Sequence, residues 1–294
     1  MVRIIPDWTG TATSIVAHRL LSVIFMPDRG SHRNVMFMKT QPLHVHLLPD
    51  LIPAETLAGG TAIVIDVLRA STTIATALNS GVASVIPCQS PEEAFALRAE
   101  LSGENVLLGG ERGGIRIEGF DRGNSPAEYT PEVVSGRTLV FTTTNGTRAL
   151  QFSLEASSIL TGGFINRAAV VRRLLRDEQP VHLVCAGTDR QVTGEDVLYA
   201  GCLVSGLQQA DSAAVQWALN DSAQLALRLW QSVVDGASCM SAAIEEYLLT
   251  TQGGRNLIRI GCADDPRLCA QLDLTDIVPE YDRDSGRIMA PREC

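Results

Sequence analysis

Short apolar runs, each closed by a polar or glycine-rich turn, recur along the chain from about residue 42 onward. They occupy 62–67, 84–87, 106–108, 138–142, 158–160 and 181–186, and their β-branched content marks them as buried strands. Amphipathic patterns over 72–78, 92–101, 147–154 and 168–176 separate them and predict helices. Strand–helix alternation of this kind predicts an α/β fold, three layers deep, around a mainly parallel sheet.

The pattern also repeats. Ala62-Ile-Val-Ile-Asp66 aligns with Leu139-Val-Phe-Thr-Thr143, Ser84 with Ser158, and Val106 with His182, at offsets of roughly 75 positions. Two related β-α-β-α-β halves are expected, over about 61–112 and 138–190, within a domain spanning 41–294. A helical and C-terminal part follows from about 191, with 211–250 reading as helix. Residues 1–40 lack this periodicity and are expected to form a poorly ordered extension.

Composition narrows the partners. The formal net charge of -9 disfavours nucleic acid and anionic membrane surfaces, both of which reward basic patches. Lys39 is the sole lysine, so neither a P-loop lysine nor a Schiff-base lysine is available to the body of the fold. Cation chemistry must come from arginine or from a metal ion. The 7 cysteines are scattered and never form a C-x-x-C pair, which suits reduced thiols and a cytoplasmic location. No stretch has the roughly 20 apolar residues that a membrane span requires. Self-association is left open by the sequence.

In parallel sheets ligands bind beyond the carboxyl ends of the strands, and here those positions are polar. Asp66-Val-Leu-Arg-Ala-Ser-Thr-Thr73 follows the first run, and Gly109-Gly-Glu-Arg112 follows the third. Thr142-Thr-Thr-Asn-Gly-Thr-Arg148 follows the fourth, and Gly187-Thr-Asp-Arg190, leading to Glu195 and Asp196, follows the sixth. Ser71, Thr72, Thr144 and Asn145 stand where helices begin and could cap free amides beside an anion. Thr143, Gly146 and Thr147 complete the second turn. Asp66 and Glu111, with Glu195 or Asp196 as a third ligand or a base, could hold Mg²⁺, which accepts a few carboxylates and completes its shell with water and phosphate oxygens. Arg69, Arg112, Arg148 and Arg190 follow the same strand ends and could offset the charge of a multiply anionic ester. A salt bridge between Asp66 and Arg69 is the competing structural account of that pair. His44 and His46 alternate on one face of an early strand, without a third ligand.

Two phosphatase mechanisms are excluded by spacing. Four residues separate Cys185 from Arg190, one fewer than a cysteine-phosphatase loop needs, and Leu68 stands where aspartyl-phosphate hydrolases carry a second aspartate. Hydrolysis by a metal-activated water survives.

Five motifs together resemble the 2-phosphosulfolactate phosphatase (ComB-like) family: Val64-Ile-Asp-Val-Leu-Arg-Ala-Ser-Thr-Thr73, Gly110-Glu-Arg-Gly113, Gly119-Phe-Asp-Arg-Gly-Asn-Ser-Pro126, Thr142-Thr-Thr-Asn-Gly-Thr147 and Gly253-Gly-Arg-Asn-Leu257. The resemblance implies a Mg²⁺-dependent hydrolase that converts 2-phosphosulfolactate to sulfolactate and phosphate, a step of coenzyme M biosynthesis. It adds Asn124 and Ser125 to the expected substrate contacts, while Arg122 replaces the hydrophobic residue frequent in that motif. A phosphatase for another phosphorylated hydroxy acid, or a protein that binds an anionic metabolite without hydrolysing it, are the alternatives.

Overall fold

A computed structural model of the chain describes residues 39–101, 105–210 and 215–291. The extension expected over 1–40 lies outside the described residues up to position 38. β1 (Lys39–His46) precedes the first half-unit, which comprises β2 (Thr61–Ile65), α1 (Ala70–Asn79), β3 (Ser84–Pro87), α2 (Pro91–Glu100) and β4 (Val106–Arg112); the short β5 (Ile115–Arg116) and α3 (Pro131–Val134) follow it. The second comprises β6 (Thr138–Thr142), α4 (Gly146–Phe152), β7 (Ser158–Thr161), α5 (Arg167–Leu174) and β8 (Val181–Cys185). Then come α6 (Gly194–Gln209), β9 (Val215–Leu219), α7 (Asp221–Val234), α8 (Met240–Thr250), α9 (Gln252–Arg259), α10 (Asp265–Cys269), β10 (Glu280–Asp282) and β11 (Arg287–Met289).

These strands form one mixed sheet in the order β5-β4-β6-β3-β11-β10-β7-β2-β8-β1-β9. The two half-units exchange their first strands: β2 lies between β7 and β8, and β6 between β3 and β4. The ladder registers are equivalent in the two places. Thr61 faces Ser158 and Val181, while Thr138 faces Ser84 and Val106. By register Val106 therefore corresponds to Val181, one position before the His182 expected from the sequence. A C-terminal hairpin, β10-β11, fills the seam by pairing antiparallel with β7 on one side and β3 on the other.

Alternation along the strands separates two faces. Ile63, Ile65, Leu160 and Leu183 pack under α5, α6 and α7, whereas Ala62, Val64, Ile159 and Val184 pack with α1 and α4. A smaller cluster of Ala94, Leu108, Phe120 and Val140 seats α2. The result is the expected three-layer α/β architecture. Two elements differ from expectation: 215–219, read as helix, is an edge strand parallel to β1, and β4 continues through the glycines to Arg112. Among the described residues no helix is long and apolar enough to cross a membrane, and six cysteines are free.

His44 and His46 acquire a third ring from β8. His182 lies 5.3 Å from each of their ring centroids, which are themselves 6.3 Å apart, and its Nδ1 meets His46 Nε2 at 3.1 Å. The three rings are not placed to hold a metal together. Burial, followed by repulsion among the rings, lowers both His46 and His182 to about 4. The unfolded chain, with ordinary values near 6.5, therefore takes up protons first as pH falls. This contribution to stability is complete above about pH 6.5 and is lost progressively toward pH 4. His46→Gln should recover on the order of 1–2 kcal/mol between pH 7 and 4.5, after allowing for the partial exposure of the rings. Urea denaturation of both proteins at the two pH values checks this: the wild type should lose more stability on acidification than the variant.

Candidate active site

The carboxyl ends of β2, β4, β6 and β8 open on one rim, where a cavity of about 280 Å³ lies. Its wall includes Asp66, Leu68 and Arg69 after β2, Glu111 with Gly113 and Gly114, Asn124, Thr144 and Asn145 after β6, and Thr188 and Asp189 after β8. Gly253, Asn256, Leu257, Arg259 and Ile260 close it from α9.

Buried carboxylates shape this rim. Glu111 accepts the amides of Gly114 (2.6 Å) and Thr144 (2.8 Å), tying the β4 turn to the β6 turn. Asp196 accepts Val67 N–H on one oxygen and Gly187 N–H on the other, both at 2.9 Å, and so joins the β2 loop to the β8 loop. Asp66 accepts the amide of Ala70 through Oδ1 at 3.3 Å. Burial, with the charges of Glu111 and Glu195 adding to it, pushes Asp66 up to about 7. Asp196 is driven well above the ordinary carboxylate range by burial, Glu195 and Asp66, and burial also raises Glu195. Glu195 Oε2 is buried without a hydrogen-bond partner among the described residues.

Two motif glycines exist because of these acids. A β-carbon on Gly146 would lie 2.9 Å from Asp66 Oδ2, and one on Gly253 would lie 2.1 Å from Glu195 Oε1. The Asn-Gly turn and the start of α9 can close on the carboxylates only without a side chain at those positions.

Arg69 is 3% exposed, and it pairs with Asp265 (2.7 Å) rather than with Asp66. Its second terminal nitrogen donates to Gly114 O at 2.7 Å, and Ser125 Oγ donates to the other oxygen of Asp265 at 2.6 Å. Ser125 thus fixes the partner of Arg69 and is not part of the cavity wall.

The other expected residues separate. Ser71 Oγ accepts Asp66 N–H and donates to Val64 O, and Thr72 donates to Val67 O, so these hydroxyls lock the β2 turn internally. Neither caps α1, and Asn145 makes no side-chain cap on α4. Thr147 Oγ1 accepts Thr143 N–H, and both residues line a small apolar pocket behind the turn. Arg112 donates to the carbonyls of Glu111 and Gln89 and to Thr142 Oγ1, bracing the strand ends outside the cavity wall. Arg148 and Arg190 both pair with Asp50, and Arg122 donates to Asp121 O. The four carboxylates do not converge as one cage: among the described residues no three Asp, Glu, His or Cys side chains are placed to hold a metal together. Asp196 and Glu195 stand outside the cavity wall, with Glu195 against Gly253, whereas Asp66 and Glu111 line it.

Sequence reading missed Asp189, Asn256, Arg259 and Asp265. The spacing of Gly253, Asn256, Leu257 and Ile260, one face of a helix, was the available signal for α9. Asp265 left none, since its partner is 196 residues away in the chain.

The fold and this rim define an α/β protein with a candidate site beyond the carboxyl ends of the parallel strands. A family model described as 2-phosphosulpholactate phosphatase matches residues 46–284. A protein of Symbiobacterium thermophilum named "Probable 2-phosphosulfolactate phosphatase" is 42% identical over 229 residues, covering 78% of this chain and 94% of the relative. Its namesakes from Carboxydothermus hydrogenoformans (40% identical; 77% and 88% covered) and Clostridium perfringens (36%; 81% and 93%) are similar over comparable spans. The chain belongs to the 2-phosphosulfolactate phosphatase family.

Gly146→Ala should shift the Asp66 carboxylate, lowering stability by about 1–3 kcal/mol and phosphate release from an ester substrate roughly 100-fold. Thermal melts and phosphate assays on the purified variant check both, and unchanged turnover would contradict the packing argument.

Proposed function

We propose that the protein hydrolyses 2-phosphosulfolactate to 3-sulfolactate and phosphate, with Mg²⁺ as its cofactor. The observation that carries this reading is the charge of the cavity wall: three carboxylates (Asp66, Glu111, Asp189) stand against two guanidiniums (Arg69, Arg259). Arg69 is moreover paired with Asp265. Such a wall repels a polyanionic ester unless a cation enters with it.

The donor set suits Mg²⁺ bound through one or two carboxylates, with substrate and water completing the shell. Asp66 and Glu111 would hold it, since both line the cavity. When bound, Mg²⁺ supplies charge neutralisation for the phosphoryl oxygens and polarises a water for attack. Arg69, immobilised by Asp265 and Gly114 O, directs its remaining N–H donors at the transferring group. Asn124 Oδ1 is buried on the cavity wall without a hydrogen-bond partner among the described residues and offers an acceptor to the entering water or the substrate. In the reaction an oxygen of water bonds to phosphorus as the ester P–O bond breaks. The proton lost by the water is balanced by the one that the leaving alkoxide gains.

Asp66→Asn tests this assignment with opposite effects on function and stability. Turnover should fall at least about 1000-fold, as expected when a ligand of the catalytic cation is lost. Stability should hold or rise, because the substitution removes a charge that burial opposes. Mg²⁺-dependent phosphate release from phosphosulfolactate, phospholactate and phosphoglycolate, measured alongside melting temperature, decides the matter. Wild-type turnover in the variant, or release indifferent to Mg²⁺, would overturn the metal site. A better rate on an unsulfonated ester would reassign the substrate.

A further inference from the structure

The α9 wall of the cavity carries a cation that no acid of the site neutralises. Gly253, Asn256, Leu257 and Ile260 form one helix face, and all four line the cavity together with Arg259. Ile260 leans on the Gly113–Gly114 turn, its Cδ1 standing 2.6 Å from where a side chain on Gly114 would begin. The C-terminal end of α9 therefore sits beside the turn whose amide binds Glu111 and whose carbonyl receives Arg69.

Of the two arginines on the cavity wall, Arg69 and Arg259, the second is not held in an ion pair among the described residues. Arg69 is paired with Asp265, and Arg148 and Arg190 with Asp50. Arg259 donates to Asn256 Oδ1 at 3.0 Å, a neutral acceptor one turn earlier, and makes no ion pair among the described residues. That bond orients one edge of the guanidinium and leaves further donors of its fork for a ligand. The side chain is exposed, so it stands at the solvent side of the cavity rather than at its buried end.

Asp66 and Glu111 give the buried end an excess of negative charge, which repels any carboxylate or sulfonate that does not share a cation with them. The non-transferring anions of the substrate must point elsewhere, and the α9 wall offers them an unneutralised charge. We propose that Arg259 determines substrate specificity, its guanidinium holding the carboxylate or sulfonate on the carbon skeleton beside the phosphate ester. The assignment rests on the phosphatase reading above. An arginine fork matches two oxygens of either group, which a lysine ammonium cannot do.

Titration calorimetry of 3-sulfolactate, lactate and inorganic phosphate, with Mg²⁺ present, reads the two ends of the site separately. Arg259→Gln should weaken 3-sulfolactate about 10- to 100-fold, the loss expected for a charge-assisted contact, and weaken phosphate far less. Arg259→Lys should recover part of the loss. Equal weakening of lactate identifies the carboxylate as the group held, and an effect confined to 3-sulfolactate identifies the sulfonate. In turnover, KM for phosphosulfolactate should rise by the same factor, with a smaller change in kcat. Unaltered 3-sulfolactate binding in a folded Arg259→Gln protein, or equal loss for 3-sulfolactate and phosphate, overturns the assignment alone. A wild type that releases no phosphate from any of the esters overturns the functional reading and this assignment with it.

Discussion

A carboxylate at the end of a buried strand must find donors or give up its charge, because desolvation of an ion costs several kcal/mol even after relaxation. Here the donors are backbone amides of neighbouring loops. Asp196 takes one from each of the β2 and β8 loops, and Glu111 takes one from its own turn and one from the β6 turn. Each such bond to a charged acceptor is worth about 1.5–3 kcal/mol, so the acids hold the rim together while the amides offset part of the cost of burying them. The compensation is incomplete. Burial still raises all three of Asp66, Glu195 and Asp196, with Glu111 and Glu195 adding to the shift of Asp66, and Glu195 and Asp66 to that of Asp196.

The topology explains why those loops meet. Had each half-unit kept its own first strand, the ends of β2 and β6 would serve separate sub-sheets. Strand exchange places each inside the other half, and the Asp66 carboxylate then lies against Gly146 at the start of α4. The arrangement would leave β3 and β7 with unpaired edges facing each other across a seam, an invitation to mispairing. The β10-β11 hairpin satisfies both edges and makes the sheet continuous, so the C-terminal segment is part of what aligns the rim.

What the sequence disclosed was what is local. The six apolar runs and four helices were legible to within a few residues because burial on both faces demands unbroken β-branched segments, and amphipathic helices advertise their period. β9 was not: Val215–Leu219 alternates over only five residues beside an amphipathic helix, and its identity comes from pairing with β1. The three-residue β10 and β11 carry Glu280, Asp282 and Arg287, and only the seam makes them strands. At the site, Asp66 and Glu111 stood out because charge at the end of an apolar run is conspicuous. The arginines misled because adjacency along the chain says nothing about ion-pair partners. Asp50 and Asp265 are remote in sequence, and they decide which guanidiniums reach the cavity.

Arg69 shows why an arginine, rather than a lysine, occupies the buried end. Its two terminal nitrogens donate in different directions at once, to Asp265 on α10 and to the carbonyl of Gly114, and only a planar fork can do both while keeping its charge. A buried ammonium would carry its three donors on a single nitrogen and lose its proton more readily. The fork thereby couples three segments, the β2 loop, the glycine turn after β4 and α10, and Ser125 extends the linkage to the loop bearing Asn124. Neutralised by Asp265 and held from two sides, Arg69 adds directed donors to the site with little net charge. Under the proposed function, attraction for a polyanion would come from a bound cation and from Arg259 nearer the solvent. A site assembled in this way separates orientation, built into the buried network around Arg69, from charge attraction, left to groups outside that ion pair.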